Sequence, residues 1–112
     1  MPIIVNPKDT KITKGSGWTQ ITVANTQIMG APAMVACRWI IEAGAHGPQL
    51  EQGDKDQLLY VIRGSGKAVV DGQDMPLNNE SVLWVEPGEK YQFFAGEESL
   101  EILQGYAPGE QI

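Results

Sequence analysis

Short β-rich runs closed by glycine, proline, asparagine or aspartate recur about every ten residues along this chain, and no stretch repeats apolar residues at i, i+3, i+4 and i+7 over three helical turns. Such a chain must bury its apolar side chains with short strands. The runs that read as strands are Ile3 to Val5, Trp18 to Ala24, Met34 to Glu42, Leu58 to Arg63, Lys67 to Val70, Ser81 to Val85, Tyr91 to Phe94 and Leu100 to Tyr106. Asp71-Gly72 joins the Val70 run to a short partner ending at Met75-Pro76-Leu77, because Asp-Gly supplies the two positive-φ positions of a tight hairpin. Gly64-Ser65-Gly66 marks another sharp reversal, and Glu86-Pro87-Gly88-Glu89 suits a type II turn. Gly15-Ser16-Gly17 and Asn25 to Pro32 read as loops.

About eight short antiparallel strands with period-2 alternation cannot bury their apolar faces as one flat sheet, so they fold into a sandwich or close into a barrel. At 112 residues the chain supports one core, expected over about 18–108 with peripheral ends. The 42% hydrophobic and 20% charged content are those of an ordinary globular domain, and no run of about 18 apolar residues exists to cross a bilayer. Met1-Pro2-Ile3-Ile4-Val5 lacks the basic start and cleavage site of a secretory leader, so the expected location is the cytoplasm. Eight Lys and Arg against fourteen Asp and Glu give a net charge of −6, which repels phosphate backbones and anionic lipid. Neither nucleic acid nor a membrane is an expected partner. Cys37 is the single cysteine, which excludes an intramolecular disulfide and a cysteine-cluster metal site and fits a reducing compartment. Within a strand it reads as a small buried hydrophobe.

From Gly44 to Gly88 the residues carry a recognisable frame. Gly44 is followed by Leu50, Gln52, Gln57 and Gly64 at the spacings of the pattern G-x5-H-x-H-x4-E-x6-G. After it come Leu59-Tyr60-Val61-Ile62-Arg63-Gly64-Ser65-Gly66, and then Val85-Glu86-Pro87-Gly88-Glu89-Lys90-Tyr91, with Tyr91 where a further His would stand. In these features the sequence resembles the cupin superfamily. The resemblance implies an all-β, single-domain jelly-roll barrel of the RmlC-like kind, a homodimer, and a barrel mouth holding a divalent metal on three His and one Glu. Carried over residue by residue, those ligand positions fall on Leu50, Gln52, Gln57 and Tyr91, and none has the ligand type the pattern calls for.

Leu50 has no donor atom, Gln52 and Gln57 offer neutral amide oxygens, and a phenol must lose a proton of pKa near 10 before it binds a metal well. No cofactor is therefore expected; a divalent metal on Glu51, Gln52, Gln57 and Tyr91 is the alternative, reached if a one-residue slip brings Glu51 inward. The twelve-residue calcium-loop pattern is absent around Glu51, Asp54 and Asp56. His46, in Ala45-His46-Gly47-Pro48, reads as a solvated turn residue.

Residues two apart in a strand share a face, so Gln57, Leu59 and Val61 point one way and Tyr91 and Phe93 meet them across the barrel. With Trp39, Leu50 and Gln52 these are the expected lining of a cavity, and Arg38 has the parity opposite to Cys37 and Trp39. An aromatic, apolar lining with a few neutral hydrogen-bonding groups suits a small uncharged or weakly polar organic ligand. The same side chains suit a solidly packed small barrel. Three functions follow: binding of such a ligand without a transition metal; an isomerase, cyclase or dioxygenase-like enzyme using an atypical metal shell or Tyr91 as acid and base; and a non-catalytic dimerising protein.

Overall fold

The computed structural model describes residues 4–25, 35–51 and 53–106. Among the described residues nine strands run in chain order: β1 (Lys11–Gly15), β2 (Trp18–Ala24), β3 (Val35–Ile41), β4 (Gln57–Arg63), β5 (Gly66–Val70), β6 (Gln73–Leu77), β7 (Val82–Val85), β8 (Tyr91–Ala95) and β9 (Leu100–Tyr106). They form a six-stranded sheet in the order β1-β2-β3-β9-β4-β7 and a three-stranded sheet in the order β6-β5-β8. Every strand pair is antiparallel. A single 3-10 turn, Pro7–Asp9, precedes β1. No described helix is long and apolar enough to cross a membrane.

Alternation decides which side chains meet between the sheets. In β4 Gln57, Leu59 and Val61 are buried while Leu58 and Tyr60 are exposed; β3 buries Cys37, Trp39 and Ile41 in the same rhythm. Ala68 and Val70 of β5 and Tyr91 and Phe93 of β8 face them from the small sheet, and all of these inward residues but Gln57 belong to one hydrophobic cluster.

The turns follow their residues. Asp71 and Gly72 have φ of 47° and 84°, the double left-handed conformation of a type I′ hairpin, and pair Val70 with Gln73. Gly88, at φ 85°, closes the Glu86–Glu89 turn with a 3.2 Å bond from the Glu89 N–H to the Glu86 carbonyl, and carries the chain from β7 in the large sheet to β8 in the small one. Gly64, at φ 100°, makes the opposite crossing from β4 to β5. A Cβ there would lie 2.1 Å from the Ser99 carbonyl oxygen.

One sequence expectation is corrected at the amino end. Ile4 and Val5 lie in no strand, and Ile3 and Met34 lie outside the described residues. Pro7 has no N–H for a ladder, and the Asn6 N–H bonds instead to Asp9 Oδ2 at 3.0 Å, turning the chain into the 3-10 segment. The first strand is β1, whose five residues are all exposed; with no buried face it shows no apolar alternation. Its register, Lys11 opposite Thr22 through Gly15 opposite Trp18, comes from the hairpin with β2. The sheet therefore begins before residue 18.

Gly64→Ala is expected to destabilise by more than about 3 kcal/mol, since it adds an atomic overlap to left-handed strain. Gly72→Ala, with open space around the added methyl group, is expected to cost only about 1 kcal/mol. Urea unfolding of the two variants measures the contrast, and equal losses would refute this account of the crossing.

Candidate functional site

β4, β9 and β3 lie side by side in the large sheet, and their register sets Leu59 opposite Gln104 and Cys37 opposite Gln104 on the inner face. Gln57 and Trp39 lie on this face too, and Tyr91 enters from β8 of the facing sheet. Gln57, Tyr91, Gln104 and Trp39 are each 2% exposed or less. Buried polar groups of this kind need partners, and here they satisfy one another.

The Trp39 indole N–H can only donate, and it does so to Gln104 Oε1 at 2.8 Å. That turns the Gln104 Nε2 amide hydrogens the other way, to Gln57 Oε1 at 2.7 Å and to the Tyr91 hydroxyl oxygen at 2.6 Å. The Tyr91 hydroxyl then donates its own hydrogen to Gln57 Oε1. The result is a closed ring of three side chains, Tyr91, Gln57 and Gln104, anchored by Trp39. No member carries a charge. No buried side-chain nitrogen or oxygen among the described residues lacks a partner.

Burial, the dominant influence, pushes the Tyr91 phenol well above its usual range, with a smaller opposing effect from the Gln104 bond. Burial raises the Cys37 thiol too, against weaker bonds from Thr22 and Gln20, and raises the Tyr106 phenol. Cys37 Sγ lies 3.5 Å from Gln20 Nε2 and 3.8 Å from Thr22 Oγ1. All three acids keep their protons at neutral pH and add no charge to the site. Tyr91, the candidate acid and base, holds its proton in a bond to an amide oxygen.

Two of the four carried-over ligand positions, Gln57 and Tyr91, come together in the ring. Leu50 pairs with Tyr91 through the backbone in both directions, at 2.7 and 2.9 Å, and packs half-buried on the core. Gln52 lies outside the described residues. Glu51 is exposed, so the one-residue slip that would turn it inward does not occur. Trp39, Leu59, Val61 and Phe93, expected to line a cavity, are buried to 2% or less and belong to the hydrophobic cluster between the sheets. His46 is exposed and stacks at a tilt on Phe94, with Nδ1 3.1 Å from Gln92 Nε2.

A transition metal does not fit this donor set. Both lone-pair directions of Gln57 Oε1 are taken by N–H and O–H donors, the phenol is held protonated, and Leu50 has nothing to offer. Among the described residues no group of three or more His, Cys, Asp or Glu side chains converges.

Sequence reasoning missed Gln104. Its signal was parity: Leu100 and Ile102 point inward, so Gln104 and Tyr106 do as well. Glu101 was also missed. It has the outward parity yet is 8% exposed, because Arg38 and Arg63 close over it, Arg63 Nε at 3.2 Å and Arg38 Nε closer still.

Neither a protein-family model nor a curated protein sequence matches the chain. Solved structures do. An RmlC-like cupin from Shewanella frigidimarina superposes with a TM-score of 0.76 at 17% identity, over 99% of this chain and 95% of that one. The polyketide cyclase RemF from Streptomyces resistomycificus gives 0.74 at 19% identity, over 95% and 79%. A Streptomyces protein solved with uridine, elsewhere described as a nucleoside dehydratase, gives 0.77 at 17% identity, over 96% and 83%. The chain has the cupin fold, an all-β jelly roll. At these identities the likeness defines the fold alone.

Tyr91→Phe is expected to lower stability by about 2 kcal/mol, because two buried amide groups lose their hydroxyl partner. It should also change the pH dependence. The folded-state pKa of Tyr91 lies above its unfolded value near 10, so the folded protein holds the extra proton as pH rises past that value. The contribution is complete below about pH 10 and is lost as pH climbs toward the folded-state value. Denaturant titrations from pH 8 to 11 should show wild-type stability falling above about pH 10, with a shallower fall in the variant.

Proposed function

We propose that this protein binds a small uncharged or weakly polar organic molecule at the inner end of the barrel, without a transition metal. The observation that carries the reading is the neutral Tyr91–Gln57–Gln104 ring, two of whose members, Gln57 and Tyr91, stand at positions where the cupin-like frame calls for metal ligands. Around it stand half-buried inward-facing groups, the Tyr106 phenol, the Thr22 hydroxyl and Val35, a mixture of ring surface, hydroxyl and hydrocarbon. An ionic ligand would find no counter-charge among these groups, whereas a planar molecule with hydroxyl or carbonyl groups would be desolvated against the aromatic faces and oriented by polar tips. The likeness to a protein solved with uridine and to a polyketide cyclase supports this ligand class, since both names point to ring-bearing organic molecules.

Catalysis by Tyr91 as acid and base is the weaker reading. A general base should have a pKa near the working pH, and burial moves this phenol the other way.

Thermal-shift screening of nucleosides, small phenols and neutral sugars tests the proposal. At one hundred times its dissociation constant a true ligand adds about 2.7 kcal/mol of stability. At least one uncharged ring compound is expected to stabilise the wild type, to do so equally in chelator, and to lose its effect in Tyr106→Ala. A stoichiometric metal surviving dialysis of untagged protein, or no shift from any compound, overturns it.

A further inference from the structure

The hydrogen bonds around Tyr91, Gln57 and Gln104 run in one direction, and that direction leaves one group over. Trp39 Nε1 donates to Gln104 Oε1 at 2.8 Å, so Gln104 turns its Nε2 toward Gln57 Oε1 at 2.7 Å and the Tyr91 oxygen at 2.6 Å. Tyr91 passes its own hydrogen to the same Gln57 oxygen. Both amide hydrogens of Gln104 and the hydroxyl hydrogen of Tyr91 are thereby used. Gln57 comes last: it receives twice through Oε1 and gives nothing back. Its Nε2 carries two hydrogens, and no acceptor among the described residues takes either.

Such a nitrogen is unusual in a residue that is only 2% exposed. Among the described residues no side-chain nitrogen sealed from solvent lacks a partner, so this one reaches open space through the little exposure that Gln57 keeps. Oxygen and nitrogen diverge from the same amide carbon; with the oxygen turned into the ring, the nitrogen is turned out of it. Gln57 opens β4 one step beyond the Leu58–Gly105 pair, level with Tyr106 on β9. The Tyr106 hydroxyl has no partner among the described residues either. A hollow of about 470 Å³ has Gln57, Gln104 and Tyr106 in its wall, with Leu58, Trp84 and Leu103 as apolar neighbours, which is room for a ring-sized molecule.

We infer that, given a ligand at the inner end of the barrel as proposed above, Gln57 Nε2 is the group that selects it, and that the ligand turns a hydrogen-bond acceptor, a carbonyl oxygen or a ring nitrogen, toward this donor. The oxygens of both amides and of Tyr91 are already occupied by N–H and O–H donors, so what the ring offers a guest is hydrogen. A ligand carbonyl reproduces the bond that solvent makes to the nitrogen, whereas a donor or a hydrocarbon at the same place forfeits it.

Trp39 is the positioning residue for this polarity. Turning the Gln57 amide over would aim its N–H groups at those of Gln104, and turning both amides over would aim those of Gln104 at the indole. Either alternative sets two buried donors face to face with no acceptor between them. An indole N–H cannot accept, so the series of bonds runs one way and ends on a donor.

Acetophenone and 2-phenylpropene test the inference, because they share one shape and differ in whether a carbonyl oxygen or a methylene carbon is presented. NMR titration of the full chain is expected to show acetophenone binding at least about tenfold more tightly. The Gln57 side-chain amide resonances, assigned by their loss in Gln57→Leu, should shift with the ketone and not with the alkene. Gln57→Glu keeps one oxygen for the ring and turns a second toward the ligand, so it should abolish the preference. Trp39→Phe should reduce the preference, since both amides are then free to turn over, and should leave the affinity for 2-phenylpropene within about twofold; a merely structural role for the indole would weaken both probes alike. Equal affinities in the wild type, tighter binding of the alkene, or ketone binding without the Gln57 shift overturns the inference while a binding site remains. So does a preference that survives Gln57→Glu or is unchanged in Trp39→Phe. If neither probe binds, the inference fails, and the screen of nucleosides, phenols and sugars decides separately whether the site itself stands. The wild-type comparison is decisive without either variant.

Discussion

Trp39, Gln57 and Gln104 belong to the large sheet and Tyr91 to the small one, so the hydrogen bonds among them fasten the two layers at one point. Apolar contacts hold the sheets together elsewhere but are indifferent to sliding by a residue or so. Hydrogen bonds are not: each needs its donor within about 3 Å and nearly in line. A slip of β8 by one residue would turn Tyr91 outward and take one hydrogen bond from each of two buried amides, a loss of about 1 kcal/mol for each bond. The ring therefore specifies register while the hydrophobic cluster supplies most of the stabilisation. The indole sets its directionality, because an N–H that cannot accept fixes one amide, which then fixes the next.

The same alternation produces the inner ring and the exposed apolar side chains of the outer face. Once Gln57, Leu59 and Val61 face inward, Leu58 and Tyr60 must face outward, and β7 and β9 follow through their pairing. The Arg38–Glu101–Arg63 cluster obeys that parity as well. Glu101 sits on the outer face of a central strand with Arg38 and Arg63 folded over it, so its charge is neutralised within the molecule. With two arginines on one glutamate this cluster carries a net positive charge, on a chain whose net charge is −6. The surplus negative charge lies elsewhere on the surface, where it opposes indiscriminate aggregation.

Much of the fold was legible because turn chemistry and alternation are local. Trp18–Ala24 and Leu100–Tyr106 fall where the residues place them, and the Asp71-Gly72 hairpin has the backbone its residues demand. β1 was illegible for the complementary reason: an edge strand with no buried residue carries no pattern, and only pairing to β2 defines it. In the site, spacing brought Gln57 and Tyr91 together, but Gln104 lies beyond the motif frame and carries no mark except parity. Whether Trp39 and Phe93 line a cavity or fill the barrel depends on how closely the two sheets approach. That distance is a tertiary quantity with no local signature.

The replacement of ligand chemistry by amide chemistry is not one substitution away from reversal. A metal shell needs several anionic or imidazole donors whose lone pairs converge on a shared point. Here Leu50 contributes hydrocarbon, and Gln57 directs its oxygen at two hydrogen-bond donors. Changing Gln57 to Glu would place a carboxylate among the phenol, the Gln104 amide and the indole-anchored ring, where hydrogen bonds would satisfy it without any cation. The ring is thus a stable alternative to a metal centre: each group that would otherwise seek a metal already has a partner, and each partner is held by another.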